Sequence, residues 1–181
     1  PSGAAVSGAM DSLLAFVEQH YARAAMLDWD ELPGSADDDM ADPDEAQLAT
    51  MKAHFLGSEW AERTPLAIET AVETVLPTSV GPVSVRGRID AVFARDDGGV
   101  TIVDWKSGGP GAVDDLPARA VQLGVYALAW QRIHDLTAEL VDVAFYFAAT
   151  GATVRPGLPG LDDIVDVLDR VGTVTQGAAT G

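Results

Sequence analysis

The sequence predicts a mixed α/β fold: a sheet of parallel and antiparallel strands flanked by helices, with element order α, β, β, β, α, β, α. Three observations predict it. Residues 67–77 (AIETAVETVLP) and 83–95 (VSVRGRIDAVFAR) are rich in β-branched residues and partly alternate. Asp96-Asp97-Gly98-Gly99 is a hairpin turn signal that leads into a third strand, 100–106 (VTIVDWK). A long helix at 116–135, with Leu116, Leu123, Ala127 and Trp130 near one face, is then followed by an apolar strand at 140–148 (LVDVAFYFA). A meander followed by a helical crossover to a further strand implies a mixed sheet.

The remaining segments fit around this centre. Residues 1–10 are small and polar and read as a disordered leader or an expression remnant. Asp11 is an N-cap for a helix expected to run to about residue 27, with Leu13, Leu14, Val17 and Tyr21 on one side. Residues 30–46 form an acidic loop, and 43–60 fit a second amphipathic helix through Leu48, Met51, Phe55 and Leu56. Residues 107–111 (SGGPG) break the third strand, 151–160 read as a loop, and 161–171 read as a closing helix. Residues 11–173 are expected to form a single domain, and 174–181 a flexible tail. The sequence has no internal repeat.

Composition limits the chemistry. The chain has no cysteine. Disulfides, zinc–thiolate sites and iron–sulfur clusters are thereby excluded. A metal site must use carboxylates, carbonyls, His and water, a hard donor set that suits Mg²⁺ or Mn²⁺. No apolar run approaches the roughly 20 residues of a membrane span. No membrane partner is expected, and the chain reads as soluble and intracellular. The net charge of −17 disfavours strong DNA binding by the chain itself, because phosphate contacts carry most nucleic-acid affinity.

The residues that carry chemistry lie on two neighbouring strands. Strict alternation places Arg86, Arg88 and Asp90 on one face of the second strand, and Asp104 and Lys106 on one face of the third, with Trp105 pointing away. The hairpin pairs these strands, so Asp90 and Asp104 are expected side by side with Lys106 next to them. Opposed carboxylates repel each other, and a divalent cation between them relieves the repulsion. Asp104→Ala is then expected to stabilise the protein when no cation is supplied. The backbone carbonyl of Trp105 completes such a site. A cation held this way polarises a phosphodiester, while Lys106 orients or deprotonates the attacking water. An isolated Asp-x-Lys is commonly a surface ion pair. Here it follows an apolar strand and precedes a glycine-rich break, which favours the functional reading. Gln122 and Tyr126 lie one helical turn apart. They either contact phosphate or orient Lys106, or form a core tyrosine with its hydrogen-bond partner. Glu73 is either an additional acid of the site or an ordinary strand-edge glutamate.

Gly87-Arg88-Ile89-Asp90, then Val103-Asp104-Trp105-Lys106-Ser107-Gly108, then Gln122-Leu123-x-x-Tyr126 resemble the RecB-type branch of the PD-(D/E)XK nucleases. Residues 16–21, 30–34 and 55–60 resemble the C-terminal nuclease domain of actinobacterial AdnB-like (RecB/UvrD-type) helicase–nucleases. The resemblance covers about residues 11–170. It implies a restriction-endonuclease-like αβββαβ core with extra N-terminal helices. It also implies a Mg²⁺- or Mn²⁺-dependent deoxyribonuclease that trims DNA strands unwound by a helicase motor domain or partner subunit during double-strand-break repair, in the bacterial cytoplasm at the nucleoid. Asp90, Asp104, Lys106, Gln122 and Tyr126 are the implied catalytic set. Asp90, Asp104 and the Trp105 carbonyl would hold the metal, with Glu73 as a further candidate.

One feature departs from a simple match. Family members usually carry a metal-binding His on the first helix, where this sequence has Leu14. The acidic surface also suits a module tethered to a helicase, which receives DNA at high effective concentration; Arg86, Arg88, Lys106 and Arg119 would then form a local positive mouth. Two other readings stand beside the active nuclease. One is a degenerate nuclease-like domain that binds DNA or a helicase partner without cutting. The other is a structural module in which Asp90 and Lys106 form an internal salt bridge.

Overall fold

A computed structural model describes residues 25–28, 44–79, 81–109 and 116–178. In chain order its elements are β1 (Ala25–Asp28), α1 (Glu45–Leu56), β2 (Ala67–Thr78), β3 (Gly81–Ala94), β4 (Val100–Lys106), α2 (Leu116–His134), a 3₁₀ turn (Ala138–Leu140), β5 (Val141–Phe147), β6 (Ala152–Val154) and α3 (Leu161–Ala178). The architecture is mixed α+β, as expected.

Helix α1 starts with reciprocal capping. The Asp44 carboxylate accepts the Gln47 N–H at 2.8 Å, and the Gln47 side-chain oxygen accepts the Asp44 N–H at 2.8 Å. The helix stops at Leu56, short of the expected residue 60: Gly57 caps it, and the Ser58 N–H turns back onto the Phe55 carbonyl at 3.0 Å. Beyond it, β2 and β3 pair antiparallel along nearly their whole length. The β3–β4 turn forms where the Asp-Gly signal predicts. Gly98 takes φ +84°, and the Arg95 N–H donates to the Gly99 carbonyl at 2.8 Å. Helix α2 carries the chain across to β5, which runs parallel to β4.

Three expectations need correction. Residues 25–28 form a strand, paired in parallel with Val83–Arg86, where the helical spacing predicted the end of the first helix. Backbone pairing overrides weak helical periodicity over so short a segment; residues 11–24 of that expected helix lie outside the described residues. The expected loop at 151–160 contains β6, which pairs with Phe145–Phe147 of β5. The expected tail at 174–181 is helical through Ala178, and the rest of it lies outside the described residues.

Sheet pairing sets up the site. β2 takes one edge of β3. The opposite edge is shared: β1 pairs with Val83–Arg86, and β4 pairs with Ala91–Ala94. Residues Gly87–Asp90 lie between these two partners on that edge. One sheet face packs against α2, where Val92, Ile102, Leu123, Tyr126 and Phe145 are buried together. Leu76, Val85 and Val125 extend this layer toward Ile164 and Leu168 of α3. The other face carries an aromatic layer in which Trp60, Phe93 and Tyr146 bury Ala91 and Val103, with Trp105 packed against them. Trp60 is fixed there by its indole N–H, which donates to the Thr153 hydroxyl at 3.1 Å. Among the described residues no helix is long and apolar enough to cross a membrane.

Burial in the aromatic layer pushes the Tyr146 phenol above its usual pKa of 10.0, an effect that the Ser58 hydroxyl partly offsets. A folded-state pKa raised above the unfolded value gives stability that is complete below pH 10 and is lost as pH rises through the folded value. Unfolding free energy should therefore fall as pH rises above about 10. In Tyr146→Phe this part of the decline should disappear, as urea titrations across the range would show.

Candidate active site

The β3–β4 ladder ends at Ala91↔Val103. One more step of the same register would set Asp90 opposite Asp104. There the strands part, although β4 remains paired with β5 through Lys106↔Phe147. Asp90 closes the opening: its Oδ2 accepts the Trp105 N–H at 2.9 Å, where a backbone carbonyl of β3 would otherwise serve. The N–H and C=O of one strand residue point to the same edge. The Trp105 carbonyl is therefore directed toward the side of Asp90.

Strict alternation does not hold through Asp90. Val85 and Ile89 face the α2–α3 layer, and Gly87 lies against Tyr126. Val92 faces that layer again, whereas Ala91 and Phe93 belong to the aromatic layer. The phase thus changes across Asp90 and Ala91, although the β2–β3 register is the same on either side of this point. β2 changes with it: the residue opposite Asp90 is Glu69, held at φ +44°. Positive φ is uncommon for a non-glycine residue and marks a local distortion of the paired strands. Asp90 is consequently not in series with Arg86 and Arg88, which are exposed on the side away from Gly87. Arg88 pairs with Glu69 at 3.7 Å. These two arginines do not share a face with Lys106, so the expected positive mouth is not assembled from them; the Arg119 side chain lies outside the described residues.

Asp104 and Lys106 do meet. They share the face of Ile102 and lie in register with Phe145 and Phe147, which are buried against α2. Lys106 Nζ is 2.9 Å from Asp104 Oδ2, with side-chain exposures of 10% and 7%. The backbone beneath Lys106 is anchored: its carbonyl accepts the Ala148 N–H at 2.8 Å, and the Ala148 carbonyl lies 3.0 Å from His54 Nδ1. His54 has no motif around it, and only the fold reveals this support.

The Gln122 amide donates to the Tyr126 hydroxyl at 2.9 Å, and both side chains are buried. Tyr126 fills the space over Gly87, where an added Cβ would lie 2.7 Å from its ring. This geometry fits a core tyrosine with its hydrogen-bond partner, set beneath β3 three residues before Asp90. Glu73 is exposed and alternates with buried Val72 and Thr74; the Ser84 hydroxyl donates to its carboxylate. It therefore faces away from Asp104 and is not brought to the site. Leu14 lies outside the described residues.

Among the described residues no three His, Cys, Asp or Glu side chains gather as a metal-binding group. Two carboxylates and a carbonyl at the strand fork still suit Mg²⁺ or Mn²⁺. Mg²⁺ commonly takes one or two carboxylates and fills its shell with water and substrate phosphate.

The PD-(D/E)XK nuclease superfamily profile matches residues 7–178. The chain belongs to that superfamily, whose members generally use Mg²⁺ or Mn²⁺. No curated protein matches the sequence. Among solved structures, one titled "Crystal structure of SSO0001" aligns at 16% identity with a TM-score of 0.48, over 71% of this chain and 57% of that one. The chain thus spans less than two thirds of that structure.

Two substitutions probe the geometry. Gly87→Ala should cost roughly 1–3 kcal/mol by forcing Tyr126 out of its place, measured by denaturant unfolding. Asp104→Ala should destabilise chelator-treated protein by about 3 kcal/mol, because it removes one partner of a buried ion pair. This reverses the sequence expectation, in which the mutation relieved a repulsion; the ion pair to Lys106 is the reason.

Proposed function

We propose that this chain is a Mg²⁺- or Mn²⁺-dependent deoxyribonuclease module that hydrolyses phosphodiester bonds in DNA strands delivered by a helicase motor domain or partner subunit, in double-strand-break processing. The observation that supports this reading is the strand fork: β3 and β4 stop pairing at Ala91↔Val103, Asp90 Oδ2 accepts the Trp105 N–H at 2.9 Å, and Lys106 Nζ lies 2.9 Å from Asp104 Oδ2. In this reading Asp90, Asp104 and the Trp105 carbonyl hold the cation, which supplies Lewis-acid polarisation of the scissile phosphate. Lys106 orients the attacking water and meets the negative charge that builds on the phosphate oxygens. Its placement in an apolar wall strengthens that interaction. Asp90, by accepting the Trp105 N–H, keeps the carbonyl aimed at the opening. Tyr126 and Gln122 brace β3 from below and so set the position of Asp90. The helicase context is supported by the sequence resemblance and by the charge of −17, which suits DNA supplied at high effective concentration by a tethered motor.

The test separates binding from chemistry. Mn²⁺ at about 100 times its dissociation constant should stabilise the wild type by roughly 2.7 kcal/mol, seen as a rise in Tm. Asp104→Ala should lose that rise. Lys106→Ala should keep it and lose single-stranded DNA cleavage on the order of 10²–10³-fold, and Lys106→Arg should not restore activity. Equal cleavage by wild type and Lys106→Ala would refute the role given to Lys106. Mn²⁺ binding without cleavage by either would mean a degenerate nuclease domain.

A further inference from the structure

The Asp104–Lys106 pair has a consequence for how a cation enters. Lys106 Nζ is 2.9 Å from Asp104 Oδ2, and both side chains are at least nine-tenths buried. Phe145 and Phe147 lie in register beside them on β5, so the surroundings are apolar and screening is weak. The lysine is also held in place by its backbone. It extends from a strand whose backbone is fixed on the β5 side through Phe147 and Ala148. An ammonium and an incoming cation therefore contend for one carboxylate.

We propose that Lys106 sets the charge threshold and affinity of the cation site by competing with the metal for Asp104. This inference rests on the metal-site reading above. A monovalent ion brings no more charge to Asp104 than the ammonium already does, so it gains nothing by displacing it. A divalent ion gains a second unit of charge and can draw Asp104 away. The price of that exchange is repulsion between the ion and the displaced ammonium, which stays on the same short strand end. Two charges and one, separated by about 5 Å, repel enough even at the dielectric of water to weaken binding on the order of tenfold. Lys106 would thus make the site weaker for every cation and selective for divalent ones. It would also leave the ammonium released from Asp104, and so available to the substrate, only when the cation is bound.

Two measurements that do not depend on activity test this. The first is Mn²⁺ titration followed by calorimetry. Lys106→Met should bind Mn²⁺ about tenfold more tightly than wild type. Lys106→Arg, which keeps the charge, should gain no such affinity, and Lys52→Met, which removes an exposed lysine on α1, should match wild type. The second uses the wild-type protein and so holds even if Lys106→Met fails to fold. The chain has two lysines, Lys52 and Lys106. With ¹⁵N-labelled lysine, saturating Mg²⁺ should shift the Lys106 side-chain resonance and leave that of Lys52 in place, whereas K⁺ at equal ionic strength should move neither. Equal Mn²⁺ affinity in wild type and Lys106→Met, or a Lys106 resonance unmoved by Mg²⁺, would overturn the competition while leaving the metal site standing. If neither protein binds Mn²⁺, both the competition and the metal-site reading fall.

Discussion

The site depends on one event, the parting of β3 and β4 at Asp90 and Asp104. A hairpin that stayed zipped would use the Trp105 N–H in a ladder bond and leave the two aspartates as ordinary facing residues. Parting exposes backbone groups, and an unpaired buried N–H costs about as much as a lost hydrogen bond. Three features make the opening tolerable. The Asp90 carboxylate takes the Trp105 N–H. β5 keeps β4 extended through Lys106, and β2 keeps β3 extended on its far edge. Each strand is therefore held by the neighbour away from the fork, and the Asp90 carboxylate bridges the gap between them.

The surrounding layers serve this opening from both faces. On the α2 side, Tyr126 over Gly87 fixes the height of β3 just before Asp90, with Leu123 packed in the same cluster. On the other side, Trp105 leaves the fork and packs edge-on against Phe55 and Tyr146, with ring centroids 5.8 and 5.7 Å apart. Arg63 and Arg155 stack over Trp60 in the same layer. Successive residues of β4 thus have opposite tasks. Asp104 and Lys106 keep charge in a poorly solvated place, and Trp105 between them supplies the packing that holds the strand end still.

Much of the sheet could be read from sequence because its signals are local. β2, β3 and β4 are β-branched runs divided by an Asp-Gly turn, and the apolar run of β5 follows an evident helix. The pairing of Asp104 with Lys106 follows from a spacing of two, and that of Gln122 with Tyr126 from a spacing of four. What escaped the sequence is not local. The phase change at Asp90 involves Glu69, on another strand, and periodicity assumes alternation rather than testing it. The need for glycine at position 87 is set by Tyr126, far along the chain. β1 and β6 are four and three residues long, too short for any pattern to distinguish them from a helix end or a loop. The support of Lys106 through Ala148 and His54 depends on a backbone contact that no residue type announces.

The phase change also bears on how this strand can vary over evolutionary time. Side chains on a strand alternate, so removing or adding one residue sends every later side chain to the opposite face. Between Gly87 and Ala91 such an indel would carry Asp90 off the fork and exchange the helix-facing and aromatic layers. At Asp96–Gly98 of the turn, by contrast, the residues are exposed and the site is a strand length away. Selection on this hairpin should therefore act more strictly on length than on composition near Asp90, and the reverse at the turn, where insertions can accumulate without disturbing the nuclease core.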